Sequence, residues 1–273
     1  MKRRDLLIVS SGVAAATLLT KADHQTAIAA TPSTGSTASG AMVTLAENLQ
    51  GYYVHPTAQG TYPAVVVIME AFGLNDYVKS VCDRLAQAGY AALAPDFYHG
   101  ATFAYTDINS AVAKLKTLND DTVMAEFGKG LDFLAGRPEL KAGTIGTIGF
   151  CMGGRFAFLA SAVHPDKLKA AVTFYGGGIA ANPDPLGRKA LLDQAPAIQA
   201  PIMLMYGADD QSIAADEHER IALALSTNKK RYVLSVFPNA GHGFFSDRRD
   251  NYNAAASEEA WAMTLAFFKQ HLV

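Results

Sequence analysis

The chain has 273 residues, of which 50% are hydrophobic and 18% are charged, and its formal net charge is -2. This length and composition suit one sizeable α/β domain with a complete apolar core. The near-neutral charge gives no indication of a nucleic-acid partner. Beyond an N-terminal signal, no run is apolar enough to predict a stable membrane span.

The first 30 residues have the layout of an export signal. A positively charged start is followed by an apolar, small-residue stretch over 6–19 and by small residues at 27–30. The adjacent Arg3 and Arg4 resemble a twin-arginine signal. We therefore expect export to the periplasm or out of the cell, with an uncleaved anchor or an inert tail as the alternatives.

The remainder predicts a linker and one domain. Residues 31–40 are rich in Ser, Thr, Gly and Pro, which favours a flexible linker, and 41–273 predict a single domain without internal repeats. The domain contains two cysteines, Cys82 and Cys151. Because Cys82 lies in a stretch with helical periodicity, we expect a buried, inert thiol rather than a disulfide partner.

Apolar runs and helical patterns alternate along this domain. The predicted strands cover 64–69, 90–94, 144–148, 170–175, 201–207 and 231–237. The predicted helices cover 76–88, 120–136, 155–162, 216–225 and 258–272, with Asp120 or Asp121 as the expected cap of the second. Residues 99–119 predict a long connection with at most one helix. This alternation favours a mainly parallel sheet with helices on both faces.

The segment Gly149-Phe150-Cys151-Met152-Gly153 joins a predicted strand to a predicted helix. This is the pattern of a nucleophile elbow with sulfur in place of the serine oxygen. The turn is sharp, so the residues two before and two after the nucleophile must lack a Cβ. The helix N-terminus lowers the cost of a thiolate there. The alternative is a structural cysteine beside packing glycines.

Two further polar groups come directly after predicted strands. They are Asp210, or its neighbour Asp209, and then His242. The order nucleophile, acid, histidine is that of α/β-hydrolases. A histidine can take the proton of a thiol, and a buried aspartate fixes its tautomer. The backbone amides of Met152 and Ala71 are the expected oxyanion-hole donors.

Five motifs together resemble the dienelactone hydrolase (carboxymethylenebutenolidase) family. They are Glu70-Ala71-Phe72-Gly73, Pro95-Asp96-Phe97-Tyr98, Gly149-Phe150-Cys151-Met152-Gly153-Gly154, Tyr206-Gly207-Ala208-Asp209-Asp210 and Ala240-Gly241-His242-Gly243-Phe244. The resemblance implies an α/β-hydrolase fold and cofactor-free opening of an enol lactone by a Cys-His-Asp triad. By motif that triad is Cys151, His242 and Asp210, which favours Asp210 over Asp209. Glu70 matches the family glutamate that controls the protonation of the nucleophile; its alternative role is to anchor the loop.

The family's two arginines for a substrate carboxylate have no direct equivalent here. No arginine occurs between 85 and 136, and Ser246 takes the second position. Arg155 and Arg248 are the candidates for that role, with structural packing or a surface charge cluster as the alternatives. The dienelactone substrate is therefore open, whereas hydrolysis of a small ester or lactone is expected.

Aromatic residues around the expected cleft predict apolar walls; they are Phe72, Phe97, Tyr98, Phe103, Tyr105, Phe244 and Phe245. The sequence therefore predicts a cysteine hydrolase of esters or lactones that forms a thioester and accepts neutral substrates at least as well as carboxylated ones. Two other functions stay open: a redox protein that uses Cys151 as a reactive thiol, and a non-catalytic binding domain. No metal is predicted, because His, Cys and acidic residues lack close ligand spacing. The oligomeric state is not indicated.

Overall fold

A computed structural model describes residues 40–181, 183–184 and 186–273. The predicted export signal, and the predicted linker up to residue 39, lie outside these residues. The strands are β1 (Ala41–Ala46), β2 (Leu49–Val54), β3 (Tyr62–Ile68), β4 (Ala91–Pro95), β5 (Leu140–Phe150), β6 (Leu168–Phe174), β7 (Ile202–Gly207) and β8 (Tyr232–Phe237). The helices are α1 (Asp76–Gln87), α2 (Ile108–Leu115), α3 (Asp120–Ala135), α4 (Met152–Val163), α5 (Ala215–Thr227) and α6 (Ala254–Leu272), with a 3₁₀ turn over Leu192–Ala197.

The strands of the described residues form one sheet in the order β1-β2-β4-β3-β5-β6-β7-β8. Strands β3 to β8 run parallel to one another, whereas β1 and β2 pair antiparallel at one edge. Every residue of β4 and β7 is buried, so both faces of the sheet are covered there. The prediction of a mainly parallel sheet, covered on both faces, is confirmed.

The hairpin of β1 and β2 is absent from the predicted elements. Residues of β1 are exposed or only partly buried, so this edge strand lacks the buried apolar run that identified the central strands. A second difference concerns the start of α3. Its cap is Asn119, whose side chain accepts hydrogen bonds from the amides of Asp121 and Thr122. The expected cap at Asp120 or Asp121 is therefore wrong by one or two residues.

The parallel strands bring their carboxyl ends to one edge of the sheet, where open α/β folds bind ligands. Aromatic side chains fill the core around this region: Phe150 packs on Phe245 and Phe174, with ring centroids 5.4 and 5.0 Å away. Cys82 on α1 is fully buried and is a free thiol, as expected. No helix among the described residues is long and apolar enough to cross a membrane.

Candidate active site

Cys151 occupies the turn between β5 and α4 with backbone angles φ 56° and ψ -117°. A non-glycine residue at positive φ is strained by about 1–3 kcal/mol, and such strain is often found at functional sites. A Cβ on Gly149 would overlap with the carbonyl of Gly153, and one on Gly153 would overlap with the carbonyl of Ile68. The predicted need for glycine on both sides of the turn is confirmed.

The turn places the sulfur of Cys151 in line with a histidine and a carboxylate. Cys151 Sγ lies 3.1 Å from His242 Nε2, and His242 Nδ1 lies 2.9 Å from Asp210 Oδ2. Asp209, the competing carboxylate, is exposed. The structure therefore brings together Cys151, His242 and Asp210.

The carboxylate behind His242 is held rigidly. Asp210 Oδ1 accepts hydrogen bonds from the backbone amides of Ser212 at 2.7 Å and Ile213 at 3.2 Å, which leaves Oδ2 for the histidine. Burial of His242 lowers its pKa, but the adjacent Cys151 sulfur and the Asp210 carboxylate outweigh this effect and raise it to about 10. The arrangement favours a protonated imidazole between the Cys151 sulfur and the Asp210 carboxylate.

The two residues that the sequence predicts as oxyanion-hole donors both lie beside Cys151. Met152 is the first residue of α4, and the first amides of a helix have no partner within the helix. Ala71 follows the end of β3, and both residues line the same cavity as Cys151. Their use as oxyanion-hole donors stays a prediction.

Glu70 lies near these groups and is completely buried. Tyr105 and Tyr175 donate hydrogen bonds to its two carboxyl oxygens, at 3.2 and 3.4 Å, and Arg249 Nη1 lies 3.9 Å from Oε1. Burial raises the pKa of Glu70, and the charges of Arg249 and His242 together with both tyrosines offset part of this effect. Glu70 is thus a buried acid that is hydrogen-bonded to Tyr105 and interacts with the charges of Arg249 and His242.

The cavity beside Cys151 has a volume of about 360 Å³, enough for one small molecule. Its walls are mainly aliphatic, and one of them is formed by α2. The aliphatic lining residues are Ile108, Ala111, Val112, Leu115, Ala181, Leu186 and Ile213. The sequence analysis missed this wall, because only a weak helical signal lay within 99–119.

The predicted aromatic walls are largely wrong. Phe72 lines the cavity, but Tyr98 and Phe244 are buried in the core. The Tyr98 hydroxyl contacts Met152 Sδ at 3.7 Å, and the Phe244 ring packs against Tyr175. Tyr98 thus supports a residue that lines the cavity, whereas Phe244 belongs to the aromatic core behind it.

Neither arginine singled out for substrate binding lines the cavity. Arg155 is fully buried and forms a two-point ion pair with Asp120, at 2.6 and 2.8 Å. It also donates to the carbonyls of Gly178 and Lys189, so it is a structural residue. The side chain of Arg248 is 62% exposed. Both interpretations as anion-binding residues are therefore corrected.

Two other arginines line the cavity, and the sequence analysis named neither of them as a candidate. Arg249, the neighbour of Arg248, has a side chain that is 19% exposed and faces Glu70. Arg188 pairs with Asp184 at 2.9 Å. The Arg-Arg pair was visible in the sequence, but which member turns inwards depends on the loop. Among the described residues, no group of three or more His, Cys, Asp and Glu side chains could hold a metal ion.

A mainly parallel sheet with a nucleophile-type turn after β5 defines an α/β-hydrolase fold. The profile of the dienelactone hydrolase family matches residues 49–272, so the chain belongs to that family and is a hydrolase. A protein of Escherichia coli K12, provisionally named carboxymethylenebutenolidase, is 34% identical over 232 residues, covering 82% of this chain and 83% of the relative.

Two solved structures resemble the chain along most of its length. One, from Klebsiella pneumoniae and provisionally described as a dienelactone hydrolase, has a TM-score of 0.79 and 32% identity, covering 86% of this chain and 99% of its own. The other is described as a dienelactone hydrolase-like promiscuous phosphotriesterase from metagenomic libraries. It has a TM-score of 0.73 and 26% identity, covering 87% and 99% of the two chains.

Proposed function

We propose that the protein hydrolyses carboxylic esters or lactones with Cys151 as nucleophile, His242 as proton acceptor and donor, and Asp210 as the group that orients the histidine. The observation that carries this proposal is the unbroken row of contacts from Cys151 Sγ through the two nitrogens of His242 to Asp210 Oδ2. Membership of the family indicates the class of reaction, and the name of the E. coli relative suggests a lactone as one class of substrate.

In the proposed reaction, His242 already holds the proton that Cys151 has given up, and the Cys151 sulfur attacks the carbonyl carbon. The carbonyl oxygen becomes an oxyanion, which accepts hydrogen bonds from the amides of Met152 and Ala71. The C–O bond then breaks, and the leaving oxygen takes the proton from His242. Water attacks the resulting thioester while His242 accepts its proton, and the free acid and the thiol are released.

Glu70 completes this proposal as a positioning residue for the charge on His242 and Cys151. A buried carboxyl group that gains or loses a proton changes the field at the adjacent histidine. Glu70→Gln keeps the shape but removes the charge, so the pH dependence of Cys151 alkylation by iodoacetamide should shift. An unchanged profile would leave Glu70 as a loop anchor only.

The cavity favours neutral substrates. Its wall is largely aliphatic, and Arg249 already faces Glu70. We expect neutral esters to be hydrolysed at least as efficiently as carboxylated ones, measured as kcat/KM for a free carboxylate and its methyl ester. One charge-assisted contact is worth about 1.5–3 kcal/mol, or roughly ten- to a hundredfold. A carboxylate preference that Arg249→Ala abolishes and Arg248→Ala preserves would refute this expectation.

The decisive experiment is hydrolysis of a panel of aryl esters and enol lactones by purified protein. Cys151→Ala should abolish turnover and retain the fold. Cys82→Ala is the matched control, because it removes the other thiol of the domain, and it should retain turnover. Cys151→Ser should also be strongly impaired, because a hydroxyl group needs a stronger base. Unchanged activity in a folded Cys151→Ala protein would refute the proposed nucleophile.

Export through the N-terminal segment is also a proposal, because residues 1–30 lie outside the described part of the chain. It is supported by the charged start and the apolar stretch that follows. Mass spectrometry of the protein from its native host should find a new N-terminus near Ala30. An intact Met1 in a soluble extract would contradict the proposal.

A further inference from the structure

The cavity wall contains one buried carboxyl group that the proposed reaction does not use. Glu217, in the first turn of α5, lines the cavity together with Cys151 and is only 5% exposed. Its Oε2 atom is buried and has no hydrogen-bond partner among the described residues. Nearly all buried polar groups in proteins are hydrogen-bonded, so this oxygen calls for an explanation.

The cations nearest in sequence and along the wall are bound to other acids. Arg220 pairs with Asp216 at 2.8 Å and also donates to the Ala180 carbonyl, and Arg188 pairs with Asp184. Glu217 therefore has no dedicated ion-pair partner among the described residues.

Burial also affects the protonation of Glu217. It raises the pKa of this carboxyl, and the charges of Asp216 and Asp184 raise it further. A backbone hydrogen bond from Ala180 and the charge of Arg220 lower the pKa, but they do not cancel the effect of burial. The raised pKa favours the neutral carboxyl more than in an exposed glutamate. A hydroxyl group suits either form, because it donates to a carboxylate and both donates to and accepts from a neutral carboxyl.

We propose that Glu217 is a substrate-binding residue whose carboxyl group hydrogen-bonds a hydroxyl group carried by the substrate away from the scissile carbonyl. This inference rests on the proposed hydrolysis at Cys151, because both residues line one small cavity. Rotation about the last bond of the glutamate side chain is soft and can turn either oxygen towards the cavity.

The surrounding wall makes the contact selective. Ile213 and Leu186 line the cavity with Glu217 and offer no polar side-chain atoms. A substrate without the hydroxyl leaves the buried Oε2 atom without a partner, and a site of this kind discriminates strongly against the analogue that lacks the polar group. The substrate class is therefore a hydroxylated ester or lactone with an otherwise apolar skeleton.

The test compares phenyl esters of a short series of straight-chain acids with their ω-hydroxy counterparts. In the wild type, at least one ω-hydroxy ester should have a kcat/KM roughly tenfold or more above that of its plain ester. Glu217→Leu should abolish the preference, and Glu217→Gln should retain most of it. Glu219→Leu, on the exposed side of the same helix, is the matched control and should behave as the wild type.

A second measurement does not depend on turnover. The ω-hydroxy amide should protect Cys151 from iodoacetamide at lower concentration than the plain amide, and Glu217→Leu should remove the difference. The Tm of Glu217→Leu should stay close to that of the wild type, because loss of the backbone hydrogen bond to Ala180 is offset by removal of a buried oxygen without a partner. A large drop in Tm would indicate a structural role and would overturn the inference.

The outcomes separate the two proposals. Hydrolysis of plain esters without any hydroxyl preference, or a preference that survives Glu217→Leu, overturns the role of Glu217 and leaves the proposed function intact. Turnover that persists in Cys151→Ala overturns the proposed function, and the protection experiment then decides on Glu217 alone.

Discussion

Replacing Asp210 by asparagine should lower the pKa of His242 and the rate of hydrolysis together. Asparagine keeps the shape and can still accept the backbone hydrogen bonds of Ser212 and Ile213 with its oxygen. Its amide nitrogen would then face His242 Nδ1 in place of the charged oxygen. The imidazole must present a lone pair there and a hydrogen at Nε2, so it cannot accept the proton of Cys151.

The size of the effect follows from the environment of His242. Its pKa of about 10, against an ordinary 6.5, corresponds to roughly 5 kcal/mol in favour of the charged form. Asp210 contributes to this raised pKa through its hydrogen bond and its charge, so the pKa should fall when that charge is removed. The unfavourable tautomer adds to this, and kcat/KM should fall by roughly 10²- to 10⁴-fold, as in serine triads.

The assay is an NMR titration of the labelled imidazole, combined with hydrolysis of an aryl ester. In the wild type His242 should stay protonated through neutral pH and titrate near 10. Cys151→Ala and Asp210→Asn should each lower that pKa, whereas Asp209→Asn should change neither pKa nor activity. Titration of wild-type His242 near 6.5, or equal behaviour of the two aspartate variants, would refute the reasoning.

Three further predictions concern the support of the site. Gly149→Ala should destabilise the fold by about 3 kcal/mol or more, because its Cβ would overlap with the backbone after the turn. Urea unfolding measures this loss. Gly136→Ala is the control and should cost far less, because a Cβ there makes only ordinary contacts. Glu70 binds its proton more tightly in the folded than in the unfolded state, so the wild type should lose stability as pH rises above about 4.5, and unfolding curves of Glu70→Gln should lack that loss. Arg155→Ala should lower stability by about 3 kcal/mol, because it breaks the pair with Asp120, and it should leave the preference between charged and neutral esters unchanged; a changed preference would contradict its structural role.

Local chemistry made much of the fold and the proposed triad predictable. The turn around Cys151 depends on glycines at two nearby positions, and its strand and helix have clear apolar patterns. Asp210 follows the buried strand β7 and His242 follows the edge strand β8, and parallel strands end at the same edge of a sheet. Once these strands are recognised in the sequence, the order of the three groups along the chain and the edge of the sheet at which they meet can both be predicted.

Only the tertiary structure decided which side chains line the cavity. Arg248 and Arg249 are adjacent and chemically identical, and the course of their loop turns one outwards and the other towards Glu70. Arg155 follows the elbow closely, yet a long-range partner, Asp120, holds it in the core. The direction of a side chain in a loop or on a helix depends on which distant parts of the chain pack against it. Sequence periodicity reflects local structure only, so it does not predict such long-range contacts.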